Sequence, residues 1–213
     1  GPSRGVDQRN RALDVVEQVV LSSSSLSSSK QTGTMGLPSS WAGSSNGTTA
    51  TNITTISKGI VYFGDDDNAY DVRLFDQIRQ TKRVGASGVG FSFNMYERCV
   101  ANKQTGMVER LIGWPGNKKR WRKFIIDMAG LAFTTQMLIE KHPRFWADGI
   151  IGQLETRFVE QLVDKPQDLE ALDGCRKMYA WHVGTSVKEM PKNGIIPRPA
   201  GGDPQYEAIV PTI

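Results

Sequence analysis

The run Gly59-Ile-Val-Tyr-Phe63 is apolar and β-branched, and it stops abruptly at Gly64-Asp65-Asp66-Asp67-Asn68. The first stretch predicts a short buried strand. Adjacent carboxylates repel one another and cannot follow that strand into a core, so the strand must end at a surface. In open α/β sheets the carboxyl ends of strands are where ligands bind. A carboxylate placed there can hold Mg²⁺ or Mn²⁺, and the cation bridges phosphate oxygens and neutralises charge on a leaving diphosphate. On composition alone, an ordinary solvated acidic loop explains the triplet equally well.

The rest of the chain alternates between strand and helix patterns. Residues 69–83 predict a helix with Val72, Phe75 and Ile78 inward, and Gly88-Val-Gly-Phe-Ser-Phe93 predicts a second buried strand. Leu111-Ile-Gly-Trp114 is expected to be a third, in a hairpin turning near Gln104-Thr105-Gly106. Thr134 to Pro143 and Leu154 to Val163 predict helices, the latter with Leu154, Phe158, Val159 and Leu162 inward. Met178-Tyr-Ala-Trp-His-Val183 is a late strand. Near the start, Ala12, Val15, Val16, Val19 and Val20 follow helical spacing, and Asp7 is a candidate cap. The expected class is an α/β layered domain.

Ser22 to Ser57 is different in kind. It is rich in Ser, Gly, Thr and Asn, has almost nothing to bury, and predicts a low-complexity insert. It carries two glycosylation sequons, at Asn46 and Asn52. The chain divides into 1–21, this insert at 22–57, a main region at 58–187, and an irregular Pro- and Gly-rich tail at 188–213. With 213 residues and 38% hydrophobic content there is enough for one core, and a collagen-like or wholly disordered chain is excluded. No apolar run approaches the ~18–20 residues that span a bilayer. The net charge of +4 suits an anionic partner but equally an ordinary soluble surface. Cys99 and Cys175 lie far apart without metal-ligand spacing, and two buried thiols are expected in preference to one disulfide.

Other residues stand out chemically. Glu155 opens a helix, where a carboxylate can serve as general base or simply favour the helix dipole. Asp127 interrupts the apolar run Ile125 to Phe133 and needs partners; Arg122 is the nearby candidate. His182 ends a strand. The loop Asn117-Lys-Lys-Arg-Trp-Arg-Lys123 interleaves Trp121 with cations, which suits a sugar or a base, but no nucleic-acid-binding signature surrounds it.

Four of these segments, in order, resemble the inverting β-1,3-glucuronosyltransferase family. Ser3-Arg-Gly-Val-Asp-Gln-Arg-Asn-Arg-Ala-Leu13 resembles its Arg-Gly-Val-Glu-Gln-Arg-Asn segment, and the strand with its acidic triplet resembles its metal-binding segment. Phe124 to Phe133 resembles its Asp-Met-Ala-Gly-Phe-Ala block, and Gly174 to Thr185 its late Cys-to-Trp-His strand. The resemblance covers Ser3 to about Ser186 apart from the Ser-rich insert.

The resemblance implies an α/β fold of the GT-A nucleotide-sugar type, a mixed sheet flanked by helices, with the family's N-terminal nucleotide-binding strands absent from this chain. It implies transfer of glucuronate from UDP-glucuronate to the terminal galactose of a glycan or glycoprotein, with inversion and with Mn²⁺ as cofactor. By the same resemblance Glu155 is the catalytic base and Asp67 the metal ligand. Arg4, Arg9, Asp65, Asp66 and His182 contact the donor, and Glu97, Arg122 and Asp127 hold the acceptor sugar. A homodimer in the Golgi lumen, membrane-anchored outside this sequence and without a nucleic-acid partner, is also implied. Two departures bear on function: Gly184 stands where the family has an Arg aimed at the diphosphate, and the Glu155 neighbourhood matches loosely. The alternatives are an inactive descendant that serves as a glycan-binding or scaffold subunit, and a nucleic-acid module built on the Lys118–Lys123 loop.

Overall fold

The computed structural model describes residues 5–28, 58–91, 95–113, 122–146, 153–183 and 207–208. In chain order the elements are α1 (Val6–Ser28), β1 (Ile60–Tyr62), β2 (Asn68–Tyr70), α2 (Arg73–Ile78), β3 (Val84–Ala86), β4 (Gly88–Phe91), β5 (Met95–Ala101), β6 (Val108–Gly113), β7 (Leu131–Thr134), α3 (Thr135–Lys141), α4 (Leu154–Leu162), β8 (Glu170–Ala171), β9 (Lys177–His182) and β10 (Glu207–Ala208). The strands form two mixed sheets flanked by helices. One has the order β1-β7-β3-β8, and the other runs β10-β9-β4-β5-β6 with β2 also paired to β9.

Among the described residues, three connections carry the chain from the first sheet to the second, and they define the joint where the candidate site collects. The acidic segment links β1 to β2, Ser87 links β3 to β4, and residues 172–176 link β8 to β9. At the second connection the Ser87 N–H donates to the Gly130 carbonyl at 2.8 Å. A Cβ on Gly130 would lie 2.7 Å from the Ser87 carbonyl oxygen, so this close approach requires glycine. The third connection is tied to β5 by a disulfide between Cys175 and Cys99. Both cysteines are buried as expected, but they are joined and not free thiols. Their pairing follows from the order of strands and is not written in a 76-residue spacing.

The main core explains why β1 ends where it does. Phe133, Phe145 and Phe158 are fully buried, with Phe145 and Phe158 stacked at 4.2 Å. Phe63 meets both edge-on at 5.2 and 5.9 Å. Two residues further on, Asp65 has reached the surface, so the chain passes from aromatic core to carboxylates within one turn of backbone.

Helix α1 differs from its expected face. Val6, Leu13 and Val20 are buried and Val16 packs beside them, whereas Val15 and Val19 are 47% and 58% exposed and Ala12 is also outward. The buried side is a mixed one, because Asn10, Asp14 and Glu17 share it and find partners there. The Asn10 amide accepts from the Phe145 N–H at 2.8 Å and donates to the Phe145 carbonyl at 3.0 Å. Arg144 holds both Glu17 carboxylate oxygens at 3.0 Å and Asp14 at 3.0 Å. Asp7 lies inside the first turn, where the helix dipole favours it, and does not occupy the cap position. The helix also continues through the start of the Ser-rich stretch to Ser28. Ser22 and Ser23 donate their hydroxyls back to the Val19 carbonyl at 3.0 and 2.7 Å, so this serine run follows the helix instead of breaking it.

Other expectations divide similarly. The β5–β6 hairpin turns where foreseen: the Asn102 side chain accepts from Gln104 and Thr105, and Gly106 takes φ +72°. Helix α4 buries Phe158, Val159 and Leu162 as expected. Helix α2 buries Leu74 and Ile78, while Val72 and Phe75 are outward. The Asp71 carboxylate takes both the Arg73 N–H and its guanidinium, which fixes the helix entry with Val72 facing solvent. The tail, expected to be irregular, contributes β10, parallel to β9.

Burial raises the Glu17 carboxyl, but the hydrogen bonds and charge of Arg144, helped by His142, more than reverse this and hold it below the usual glutamate range. Its folded value being depressed, the stabilisation is present above the unfolded value of about 4.3 and disappears as pH falls through the folded one. Glu17→Gln should cost about 1–2 kcal/mol in urea unfolding at pH 7. The gap from the parent should close in acid, below about pH 4.

Candidate active site

The antiparallel pairing of β2 with β9 places Asn68 opposite His182. Asn68 Oδ1 lies 2.9 Å from His182 Nδ1, and His182 Nε2 lies 3.5 Å from Asp67 Oδ2. With Nδ1–H assigned as donor to Asn68, the other ring nitrogen faces the Asp67 carboxylate. The Val183 N–H donates to the Asp67 carbonyl at 3.3 Å, so the third aspartate is fixed by backbone as well. Asp66 is exposed.

Asp65 is held differently. The Tyr70 hydroxyl donates to its carbonyl at 2.9 Å, and Arg9 meets its carboxylate at 3.1 Å. The Arg9 guanidinium sits 5.5 Å above the Phe145 ring. The Asn10 clamp on Phe145 thus sets the height of Arg9 over the strand end. Both side chains of this ion pair keep about a quarter of their surface exposed, so the pair is accessible to a ligand.

A second group comes from β5, residues 122–130 and the first turn of α4. Arg122 is buried, 4% exposed, and donates to Glu97 Oε1 at 3.0 Å, Thr156 Oγ1 at 3.1 Å and the Ile126 carbonyl at 2.9 Å. Its Nη2 also lies 4.0 Å from Glu155 Oε2. Thr156 in turn donates to the Phe124 carbonyl at 2.7 Å. Glu155, in the first turn of α4, keeps a quarter of its side chain exposed. Glu97 is buried beside Arg122, so the expected partner of Asp127 is engaged with Glu97 instead. Asp127 caps the 3-10 turn Met128–Gly130, accepting from the Ala129 N–H at 2.9 Å.

The two groups act on each other through charge. Burial pushes the Asp127 carboxyl up; the Ala129 N–H opposes this, and the charges of Glu155 and Asp65 add to it, while His182 pulls it down. Burial likewise raises the Tyr62 phenol far above its ordinary value, with Tyr70, Asp127 and Asp65 adding to the effect. The Tyr62 hydroxyl donates to the Ala129 carbonyl at 2.9 Å and so ties β1 to the Asp127 turn. Asp65, Asp127, Glu155 and His182 therefore share one field at the joint between the sheets. Among the described residues no three His, Cys, Asp or Glu side chains form a metal cage. Of the described carboxylates, Asp67 is the one that would hold a divalent cation, its hard oxygens suiting such an ion.

Of the expected site residues, Arg9, Asp65, Asp67, Glu97, Arg122, Asp127, Glu155 and His182 fall at this joint. Arg4, Asn46, Asn52, Trp121 and Gly184 lie outside the described residues. Asn10, Asn68 and Thr156 were not singled out by sequence. Asn10 and Asn68 each stand inside a family-like motif, and Thr156 is a hydroxyl on the inward side of an amphipathic helix, where a partner is required.

Residues 2–186 match the sequence model of glycosyltransferase family 43. The galactosylgalactosylxylosylprotein 3-beta-glucuronosyltransferase sqv-8 of Caenorhabditis elegans is 31% identical over 90% of this chain and 44% of its own length. The human galactosylgalactosylxylosylprotein 3-beta-glucuronosyltransferase 3 is 32% identical over 71% of this chain and 44% of its own length. The rat galactosylgalactosylxylosylprotein 3-beta-glucuronosyltransferase 1 is 32% identical over 64% of this chain and 40% of its own length. The chain thus spans less than half the length of these relatives. The mixed α/β architecture is consistent with the GT-A type of fold, and the chain belongs to glycosyltransferase family 43.

Proposed function

We propose that this chain carries the catalytic and acceptor side of an inverting transferase that moves glucuronate from UDP-glucuronate to a terminal galactose. The observation that carries the proposal is the convergence, at one joint between two sheets, of carboxylates from three separate segments with His182 and Arg9. The names of the relatives supply the sugar.

In this proposal Glu155 takes the proton from the acceptor hydroxyl as that oxygen attacks the anomeric carbon, and UDP leaves from the opposite face. Asp127, held by the Ala129 N–H, lies beside Glu155 and orients the acceptor sugar. Glu97 and Arg122, buried behind Glu155, form the rigid back of the acceptor side. Arg9, together with Arg4 and the exposed Asp66, serves the donor, and its planar fork suits phosphate or the glucuronate carboxylate. Asp67 is the residue that would hold Mn²⁺, its hard carboxylate oxygen suiting that cation, with His182 beside it toward the diphosphate. When bound, Mn²⁺ supplies positive charge to the departing diphosphate. The buried Cys99–Cys175 disulfide supports an oxidising compartment, in keeping with a lumenal Golgi location. No described helix is long and apolar enough to cross a membrane.

Two measurements check these roles. Glu155→Gln should leave UDP binding by calorimetry intact and lower transfer from UDP-glucuronate to a β-galactoside by roughly 10²–10⁴-fold; turnover near the parent's would remove Glu155 as base. Asp67→Asn should weaken Mn²⁺ binding, followed by electron paramagnetic resonance of the free ion, by about tenfold or more. An unchanged free-ion signal would contradict the metal assignment.

A further inference from the structure

We propose that the Thr156 hydroxyl is a positioning group that turns the Arg122 guanidinium toward Glu155; this rests on Glu155 being the base. Glu155 and Thr156 are neighbours on the first turn of α4 but point to different surroundings. Glu155 keeps a quarter of its surface exposed, while Thr156 is buried. The one hydroxyl does two jobs. It donates to the Phe124 carbonyl at 2.7 Å and accepts from Arg122 Nε–H at 3.1 Å.

Those bonds leave Arg122 no rotational freedom. A guanidinium is planar, so fixing Nε, Nη1 and Nη2 fixes all its directions. Thr156 holds Nε, Glu97 holds Nη1 at 3.0 Å, and the Ile126 carbonyl holds Nη2 at 2.9 Å. The Nη2 edge then faces Glu155 Oε2 at 4.0 Å. At that distance the guanidinium orients the carboxylate by charge while leaving its oxygens open to a substrate hydroxyl. Arg122 is only 4% exposed, so its charge is little screened by water. Asp127 feels the charge of Glu155 as a like charge, so Arg122 is the counter-charge that the Glu155 carboxylate faces at this distance. Because Thr156 follows Glu155 directly, the same helical turn that presents the carboxylate also carries the group that aims its counter-charge.

The test uses the full chain with UDP-glucuronate, a β-galactoside and Mn²⁺, and compares Thr156→Val with Thr156→Ser. Valine nearly keeps the shape but removes donor and acceptor; serine keeps both. The expected result is a kcat lower by roughly 10- to 100-fold in Thr156→Val, with the KM for UDP-glucuronate unchanged, and near-parental kcat in Thr156→Ser. A second readout needs no activity: the Arg122 Nε–H resonance, protected from solvent exchange in the parent and in Thr156→Ser, should exchange rapidly in Thr156→Val. Equal kcat losses in both variants would overturn the proposal, since the hydroxyl would not be the cause. Loss of the protected Arg122 resonance with unchanged kcat would overturn it too, leaving Thr156 a purely structural role. A parent chain that shows the protected resonance but no transfer would overturn the glucuronosyl-transfer assignment instead, and with it the base that Thr156 is held to serve.

Discussion

A buried guanidinium is the constraint on which one half of the site depends. Arginine does not shed its proton inside a protein, so Arg122 must be met by partners wherever it is buried. Those partners come from β5 through Glu97, from the segment before the Asp127 turn through the Ile126 carbonyl, and from α4 through Thr156. Removing one member of such a pair costs about 3–5 kcal/mol, because a charge is left uncompensated. The strand, the loop and the helix are therefore locked at one mutual distance. Glu155 and Asp127, the two carboxylates proposed to meet the acceptor sugar, flank that lock.

The half of the site proposed for the donor is organised by topology more than by any one bond. Among the described residues the chain passes from the first sheet to the second at the acidic triplet, at Ser87 and at residues 172–176, and each passage is pinned. Tyr70 and Tyr62 pin the first, the contact with Gly130 pins the second, and the disulfide pins the third. Ser87, Leu172 and Cys175 are buried in the second and third connections, whereas the acidic segment of the first keeps its carboxylates at least partly exposed. Carboxylates are tolerated there, and they are available to a cation or a ligand. Helix α1 adds Arg9 from outside, and its register depends on polar contacts, with Asn10 on Phe145 and Glu17 on Arg144.

Much of this was legible in the sequence. An apolar run that stops at three aspartates announces both the strand and its exposed end, and the Asn102–Gly106 turn announces its hairpin. Hydrophobic periodicity failed on α1 and α2, because it counts only apolar residues. Asn10, Asp14 and Glu17 are drawn inward by partners more than a hundred residues away, which outweighs the apolar stripe of Ala12, Val15 and Val19. The cysteine pairing and the choice of Glu97 over Asp127 as the Arg122 partner were hidden for the same reason. Both depend on strand order, which local spacing does not encode. The motif residues at the strand end, the Asp127 turn and the start of α4 were visible individually, but only the folded chain brings them to one field.

The central claim is that the joint between the sheets holds a nucleoside diphosphate through Asp67 and a divalent cation. A calorimetric titration of UDP into the chain, with Mn²⁺ and then with the metal chelated, addresses it most directly. Saturable binding with Mn²⁺ that weakens by about tenfold or more on chelation is the predicted result. Binding of equal strength in both conditions, or none by a folded chain, would contradict it.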